Sequence, residues 1–275
     1  MNSDPIGVFD SGIGGLTCVK ELNKLMPNEN IVYFGDTARI PYGTRSKETI
    51  LKYTRQSIAF LKQHNVKMII AACGTVSSVI GNNQNIVTDM PFTGVLIPAV
   101  QAACGVTRNK KVGVIGTPLT IKCGGYGKAI RNIRPDIHVI GNSCALLVPL
   151  AENGFAQRDN QVSKLVLEQY LEPIKKENID TLILGCTHYP LFLDAIQDYM
   201  GENVTLISAG AEAAKYACAV LTQKELLTER EGKGINTFYS SDSIALFEEH
   251  VKTFLGQQPD GEVLNIDIDY LTSLN

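Results

Sequence analysis

The chain has 275 residues, of which 44% are hydrophobic and 19% charged, a balance typical of folded globular proteins rather than disordered ones. Its 25 basic and 28 acidic residues give a net charge of −3 without a basic block, which argues against binding to nucleic acid. No apolar run approaches the roughly 18 residues that a membrane span needs and the first residues lack a signal-peptide pattern, so we expect a cytoplasmic protein, with two domains.

Short apolar runs bounded by Gly, Asp or Thr alternate with segments whose apolar residues have helical spacing. This alternation predicts an α/β fold with parallel sheets and crossover helices. A late strand at 235–239 and a helix at 244–254 are expected to return to an earlier sheet. The other predicted strands are 6–9, 31–34, 68–72, 94–97, 112–115, 137–140, 181–184 and 204–207, and the other predicted helices are 16–26, 47–64, 162–175 and 211–221.

Seven cysteines, at positions 18, 73, 104, 123, 144, 186 and 218, form no Cys-x-x-Cys pair. In a chain expected to stay in a reducing compartment, they do not predict disulfides, and most should be small buried hydrophobes. The four histidines show no helical ligand spacing, so a structural zinc site has little support.

The two halves of the chain contain similar short segments. Residues 7–12 are similar to 113–118, and residues 69–75 are similar to 182–187, so that in each half a strand ends in a cysteine with a threonine close behind it. Ligands of open α/β sheets bind at the carboxyl ends of the strands. If the repeat is genuine, Cys73 and Cys186 lie on opposite walls of one cleft.

A cysteine at a strand end where a helix begins can act as a base, because backbone N–H groups and the helix dipole lower its pKa. A single such cysteine is more typical of a buried structural thiol, but here there are two. Thr187 and His188 come directly after Cys186, and we interpret His188 as a group that moves or stabilises a proton; the alternative is a histidine satisfied by backbone in the core.

Residues 10–15, Asp-Ser-Gly-Ile-Gly-Gly, lie between a strand and a helix and form a candidate anion-binding turn. They match a dinucleotide fingerprint poorly, which favours a carboxylate ligand over a nucleotide. Asp10 is either a catalytic group or the cap of the next helix.

For most of the other candidate site residues, the sequence allows either a role in the site or a purely structural role. The Pro-Tyr-Gly segment at 41–43 either lines the site or only forms a turn. Thr117 and Thr120 are candidates to present hydroxyls from the second half, and Thr120 could equally begin a helix. Glu152 is either a second group for proton transfer or a solvated side chain.

Five motifs in order, at 10–15, 33–36, 41–43, 73–75 and 185–190, together resemble bacterial glutamate racemases, of the cofactor-independent aspartate/glutamate racemase family. The resemblance implies two pseudo-symmetric lobes, each a mainly parallel sheet flanked by helices, with the active site in the cleft between them. We expect lobes at 1–97 plus 209–275 and at 98–208. It also implies chemistry without pyridoxal phosphate, metal or nucleotide, a supply of D-glutamate for peptidoglycan, and partners limited to glutamate and a second copy of the chain in a homodimer.

By position, the resemblance implies that Cys73 and Cys186 are the catalytic acid and base, assisted by Asp10, His188 and Glu152. The implied substrate contacts are Asp10, Ser11, Pro41, Tyr42, Gly43, Gly74, Thr75, Thr117, Thr187 and His188.

One departure concerns Gly74, which stands where such enzymes commonly have Asn, and Val76, which stands where Ala is usual. An amide that would hydrogen-bond the substrate is missing, and the Gly74 backbone, Ser77 or a water are candidates to replace it. Three alternatives remain open: a racemase for aspartate or another acidic amino acid, a ligand-binding relative without activity, and a cysteine hydrolase using Cys186 and His188. The hydrolase is disfavoured because it leaves Cys73 unused.

Overall fold

A computed structural model of the chain describes residues 2–81, 88–259 and 261–274. Two sheets form its framework, and the strand pairs described in them are parallel. The first, in the order β10-β9-β2-β1-β3-β4, contains β1 (Ile6–Asp10), β2 (Ile31–Gly35), β3 (Met68–Ala71), β4 (Phe92–Gly94), β9 (Asn236–Ser240) and β10 (Val263–Asn265). The second, in the order β6-β5-β7-β8, contains β5 (Lys111–Gly116), β6 (His138–Ser143), β7 (Thr181–Leu184) and β8 (Thr205–Ser208). We call these sheets with their helices the first and second lobes.

The order β2-β1-β3-β4 in the first lobe is repeated as β6-β5-β7-β8 in the second. Cys73 is the second residue after β3, and Cys186 is the second residue after β7, so both cysteines occupy equivalent strand ends. The predicted α/β class and pseudo-symmetric lobes are therefore confirmed. The late strand β9 pairs with β2, as expected.

Some of the described helices begin directly after a residue whose side chain caps them. Ser46 caps the helix that begins at Lys47 by accepting a hydrogen bond from the N–H of Thr49, and Ser208 caps the helix that begins at Ala209 in the same way through Ala211. The described helices are α1 (Leu16–Leu25), α2 (Lys47–Lys62), α3 (Gly74–Ile80), α4 (Leu96–Val106), α5 (Pro118–Cys123), α6 (Gly125–Ile133), α7 (Leu147–Glu152), α8 (Gln161–Lys175), α9 (Leu193–Met200), α10 (Ala209–Gln223), α11 (Ile244–Leu255) and α12 (Ile268–Ser273).

The strand predicted at 94–97 is wrong in its position. The strand is β4, which ends at Gly94, and Leu96 already begins α4. A continuous apolar run does not distinguish a buried strand from a buried helix, and Pro98 is tolerated because it lies in the first turn of α4. The other predicted strands and helices agree with the structure to within three residues at each end.

Helices α4 and α10 join the two lobes through a shared core. They pack against each other, α10 also packs against α1, and α4 contacts β7 and β8. Small buried side chains such as Ala99, Ala103, Ala213 and Ala217 allow this close packing. The predicted lobe boundaries fall near the starts of these helices and stay a prediction. None of the described helices is long and apolar enough to cross a membrane.

Candidate active site

One cavity of about 320 Å³ lies between the carboxyl ends of the two sheets. Both cysteines line it, and both are buried, with 5% of Cys73 and 6% of Cys186 exposed. The catalytic and substrate-contact residues predicted from the sequence all border this cavity, and they come from both lobes: Asp10, Ser11, Pro41, Tyr42, Gly43, Cys73, Gly74, Thr75, Thr117, Glu152, Cys186, Thr187 and His188.

The wall from the first lobe places Cys73 beside two oxygen groups. Its sulfur lies 3.3 Å from the Ser11 hydroxyl, and Asp10 ends the neighbouring strand β1. Burial and the carboxylate of Asp10 raise the pKa of the Cys73 thiol to about 12, although hydrogen bonds from Ser11 and the N–H of Val76 oppose this shift. The expectation that the start of a helix lowers the pKa of this cysteine is therefore wrong, because desolvation outweighs the helix terminus.

Asp10 is 1% exposed, and its Oδ2 accepts a hydrogen bond of 3.0 Å from the N–H of Gly12. Burial raises the pKa of its carboxyl group, while the positive charge of His188 and backbone N–H groups of the 11–15 turn act against the rise. Helix α1 has Gly15 at its N-cap position and no side-chain cap. The carboxyl group thus organises the turn at the cleft rather than capping the helix.

The wall from the second lobe forms a chain of three polar groups. The sulfur of Cys186 lies 3.9 Å from Nδ1 of His188, and Nε2 of His188 lies 2.9 Å from Oε1 of Glu152. Burial alone would lower the pKa of His188, but hydrogen bonds to Cys186 and Glu152 and their negative charges outweigh it and raise this pKa to about 10. At neutral pH the imidazole is therefore a cation that donates to both neighbours.

The backbone after Cys186 differs from the backbone after Cys73. A 3₁₀ turn at Tyr189–Phe192, rather than an α-helix, comes after Cys186, so the expected helix terminus exists only at Cys73. Thr187 lies against the first lobe, because its carbonyl oxygen accepts a hydrogen bond of 2.8 Å from the hydroxyl of Thr17.

Two threonines meet across the cleft. The hydroxyl oxygens of Thr75, in α3, and Thr117, before α5, are 3.0 Å apart. Thr117 also caps α5 by accepting from the N–H of Thr120. Thr120 lies in the first turn of α5, as its helix-start interpretation expects, and it is not among the cavity residues, so the suggestion that it presents its hydroxyl to the site is wrong.

The Pro-Tyr-Gly segment both turns and lines the cavity. A 3₁₀ turn spans Tyr42–Thr44, and the Tyr42 hydroxyl donates to the buried carboxylate of Asp36. That carboxylate also binds Nε of Arg39 at 2.7 Å and the Ser241 hydroxyl at 3.1 Å. Burial raises the pKa of Asp36, while Arg39 and the Tyr42 hydroxyl act against the rise. This network holds the turn against the rest of the first lobe.

One of the groups suggested to replace the side-chain amide missing at position 74 is the hydroxyl of Ser77. The Ser77 hydroxyl donates to the carbonyl of Ala71 at 3.2 Å and accepts from the N–H of Val95 at 3.0 Å. Because Ser77 does not border the cavity and its hydroxyl already bonds to two backbone groups, Ser77 is the wrong substitute. Gly74 itself borders the cavity.

Sequence reasoning missed several residues of the cavity wall. Most of the missed residues that share an element lie on or next to α7, which ends at Glu152. The signal that could have found them is the helical spacing of residues on the same helix face as Glu152. The helix has only six residues and contains Pro149, so its periodicity was too short to detect. The unpredicted residues are Ile40, Thr44, Pro118, Ala145, Val148 and Pro149.

Within residues 2–81, 88–259 and 261–274, no three His, Cys, Asp or Glu side chains form a group that could hold a metal ion. The polar groups of the cavity are hydroxyls, carboxyl groups, thiols, one imidazole and backbone amides. Such a set can bind a small zwitterion and move protons to and from it.

Comparisons with known proteins agree with this geometry. The family model described as Asp/Glu/hydantoin racemase matches residues 6–217. A glutamate racemase of Geobacter metallireducens is 40% identical over 96% of this chain and 97% of its own length, and one of Syntrophus aciditrophicus is 43% identical over 94% of each. The crystal structure of glutamate racemase from Francisella tularensis in complex with D-glutamate is similar with a TM-score of 0.89 and 38% identity, covering 98% of this chain and 100% of that one.

Proposed function

Because the chain belongs to the Asp/Glu/hydantoin racemase family, we propose that this amino-acid racemase interconverts L-glutamate and D-glutamate by moving the Cα proton between Cys73 and Cys186. The observation that carries the proposal is that both cysteines, at equivalent strand ends of separate lobes, line one cavity. Racemisation needs a base on one face of Cα and an acid on the other, and the two groups must exchange roles for the reverse reaction. Two cysteines on facing walls meet this need with one set of side chains.

In one direction, the thiolate of Cys186 removes the Cα proton, and the electron pair of the broken C–H bond passes to a carbanion conjugated with the carboxylate. The thiol of Cys73, which its raised pKa keeps protonated at neutral pH, then delivers its proton to the opposite face. A new C–H bond forms, Cys186 is left as the thiol, and Cys73 is left as the thiolate. The reverse reaction starts from this state.

The surroundings of each cysteine supply the groups that these steps need. His188 gives the sulfur of Cys186 a cationic hydrogen-bond donor, and Glu152 holds the imidazole in place. The 10–12 turn and the Thr75 hydroxyl on the other wall, together with the Thr117 hydroxyl that meets Thr75 from the second lobe, provide ligands for the carboxylates and ammonium of an amino acid. Donors fixed in a largely buried cleft stabilise the charge that develops on the substrate.

D-glutamate, the product of the proposed reaction, indicates the role of the enzyme in the cell. We propose that it supplies D-glutamate for peptidoglycan synthesis in the cytoplasm, the role implied by the sequence resemblance. The homodimer expected from the sequence stays a prediction, which sedimentation of the purified protein would test.

The test of the proposed function is turnover of single enantiomers in D₂O, followed by proton NMR of the Cα position. We expect L-glutamate and D-glutamate each to lose the Cα proton and to give the other enantiomer, with L-aspartate turned over much more slowly. Absence of exchange with both glutamate enantiomers would indicate a ligand-binding relative, and faster turnover of aspartate would assign the enzyme to that substrate.

A further inference from the structure

The residue after Cys73 and the residue before Cys186 touch across the boundary between the lobes. A Cβ atom on Gly74 would lie well within 3.0 Å of the carbonyl oxygen of Gly185, closer than Cβ atoms of real residues come to another atom. The obstacle is backbone, which cannot rotate aside as a side chain does. Glycine at position 74 is therefore the residue that lets the two lobes lie at this separation.

This contact acts directly on the distance between the two thiols. Gly74 is one residue from Cys73 and begins α3, and Gly185 is one residue from Cys186 and directly follows β7. A displacement at the contact is thus carried to the backbone of both cysteines. Proton transfer is sensitive to such displacements, because an error of about 1 Å in the position of reacting groups can lower a rate about 10²-fold.

A second glycine of the first lobe meets the second lobe in a similar way. A Cβ atom on Gly14 would lie within 3.0 Å of the His188 ring and of the Thr187 hydroxyl. Here the obstacles are side chains, although His188 is held by Glu152. The contact at Gly14 is therefore less rigid than the contact at Gly74.

We propose that Gly74, and to a smaller extent Gly14, are positioning residues that set the width of the cleft and so the separation of Cys73 and Cys186. Their effect on turnover rests on the proposed racemisation. A residue with a Cβ atom at position 74 needs the lobes further apart than they are here.

The experiment compares the full-length wild type with Gly74→Ala, Gly14→Ala and Gly105→Ala. Gly105, in α4, is the matched control, since a Cβ atom there would have no other atom within 4 Å. We expect Gly74→Ala to lower kcat about 10²-fold with a much smaller change in KM, Gly14→Ala to lower kcat about 10-fold, and Gly105→Ala to stay within about 2-fold of wild type. All variants should keep the thermal unfolding midpoint close to that of wild type, because the contact lies between lobes.

Crystal structures of wild type and Gly74→Ala, with the Cα–Cα distance between residues 73 and 186 as the readout, test the inference without any activity. The expected result is an increase on the order of 1 Å in the variant. An unchanged distance, a kcat equal to wild type, or failure of Gly74→Ala to fold would each overturn the inference. Gly74→Asn should lose at least as much activity as Gly74→Ala, and a gain would contradict the positioning role. If wild type does not act on glutamate, the proposed function fails while the distance measurement still decides the role of the contact.

Discussion

The two walls of the cleft occupy equivalent places in the fold and yet surround their cysteines differently. On the first wall Cys73 has a hydroxyl, Ser11, and a buried carboxyl group, Asp10, near its sulfur. On the second wall Cys186 has an imidazole that is itself bound to a carboxylate, Glu152. The repeated topology supplies the positions of the two thiols, and the polar groups beside them differ. The two walls are thus related in their backbone fold but not in the side chains that surround the cysteines.

Loss of either thiol should have the strongest consequence, since the proposed reaction needs one on each wall. Cys73→Ala and Cys186→Ala should each lower kcat for racemisation about 10³-fold or more, because each removes the acid or base on one face of Cα, while the fold remains. Any residual exchange of the Cα proton should be confined to one enantiomer, and to the opposite enantiomer in the other variant. Cys104→Ala is the control, a buried thiol outside the cavity. Full activity of either site variant with both enantiomers would disprove the two-base assignment.

The unequal partners of the thiols should give a smaller difference between the walls. His188→Gln should lower kcat about 10²-fold, because it removes the cation beside Cys186, whereas Ser11→Ala removes a neutral hydrogen bond and should cost about 3- to 10-fold. Steady-state kinetics in both directions measure the difference, and His138→Gln, an exposed histidine on β6, serves as control. Equal losses at the two positions would mean that the walls do not differ as described.

The pH dependence of activity tests the role of Glu152 beside His188 on the second wall. His188 has a pKa raised to about 10, so its cationic form, and the activity that depends on it, should be lost as the pH rises through about 10. Glu152→Gln removes one cause of that rise, so the alkaline loss of activity should begin at lower pH, with kcat at neutral pH lowered about 10-fold. Glu168→Gln, exposed on α8, should keep the profile of wild type. An unshifted alkaline limb in Glu152→Gln would contradict this assignment.

The threonine pair between the walls should matter least. Thr75→Val and Thr117→Val should each lower kcat/KM by about 2- to 5-fold, because each removes a hydroxyl that faces the substrate, and the double variant should lose less than the sum of the two free-energy changes, because the hydroxyls also share one hydrogen bond. A double-mutant cycle measured on glutamate turnover tests this, with the exposed Thr253→Val as control. Strictly additive losses would show that the hydroxyls act separately on the substrate.

Local features of the fold and the site could be predicted from the sequence. Strand ends, the repeat between the halves and the two cysteines are indicated by short apolar runs and the residues behind them. The strand at 94–97 was misplaced because Val95, Leu96 and Ile97 suit a buried helix as well as a buried strand. The short helix α7 was missed, and with it part of the cavity wall.

Contacts between residues distant in the chain account for the features that could not be predicted. The bond from Ser241 to Asp36 joins positions 205 residues apart, and the contact of Gly74 with Gly185 joins different lobes. Neither leaves a local pattern in the sequence. The pKa of Cys73 was misjudged for a related reason, since burial by the assembled fold decides it rather than the helix that begins beside it.

A crystal structure of the enzyme with D-glutamate bound in the cavity would decide whether two thiols share one substrate. We expect the sulfur of Cys73 on one face of the substrate Cα and the sulfur of Cys186 on the other, both within contact distance of it. Two sulfurs on the same face, or either one in a separate pocket away from the amino acid, would contradict the two-cysteine reaction.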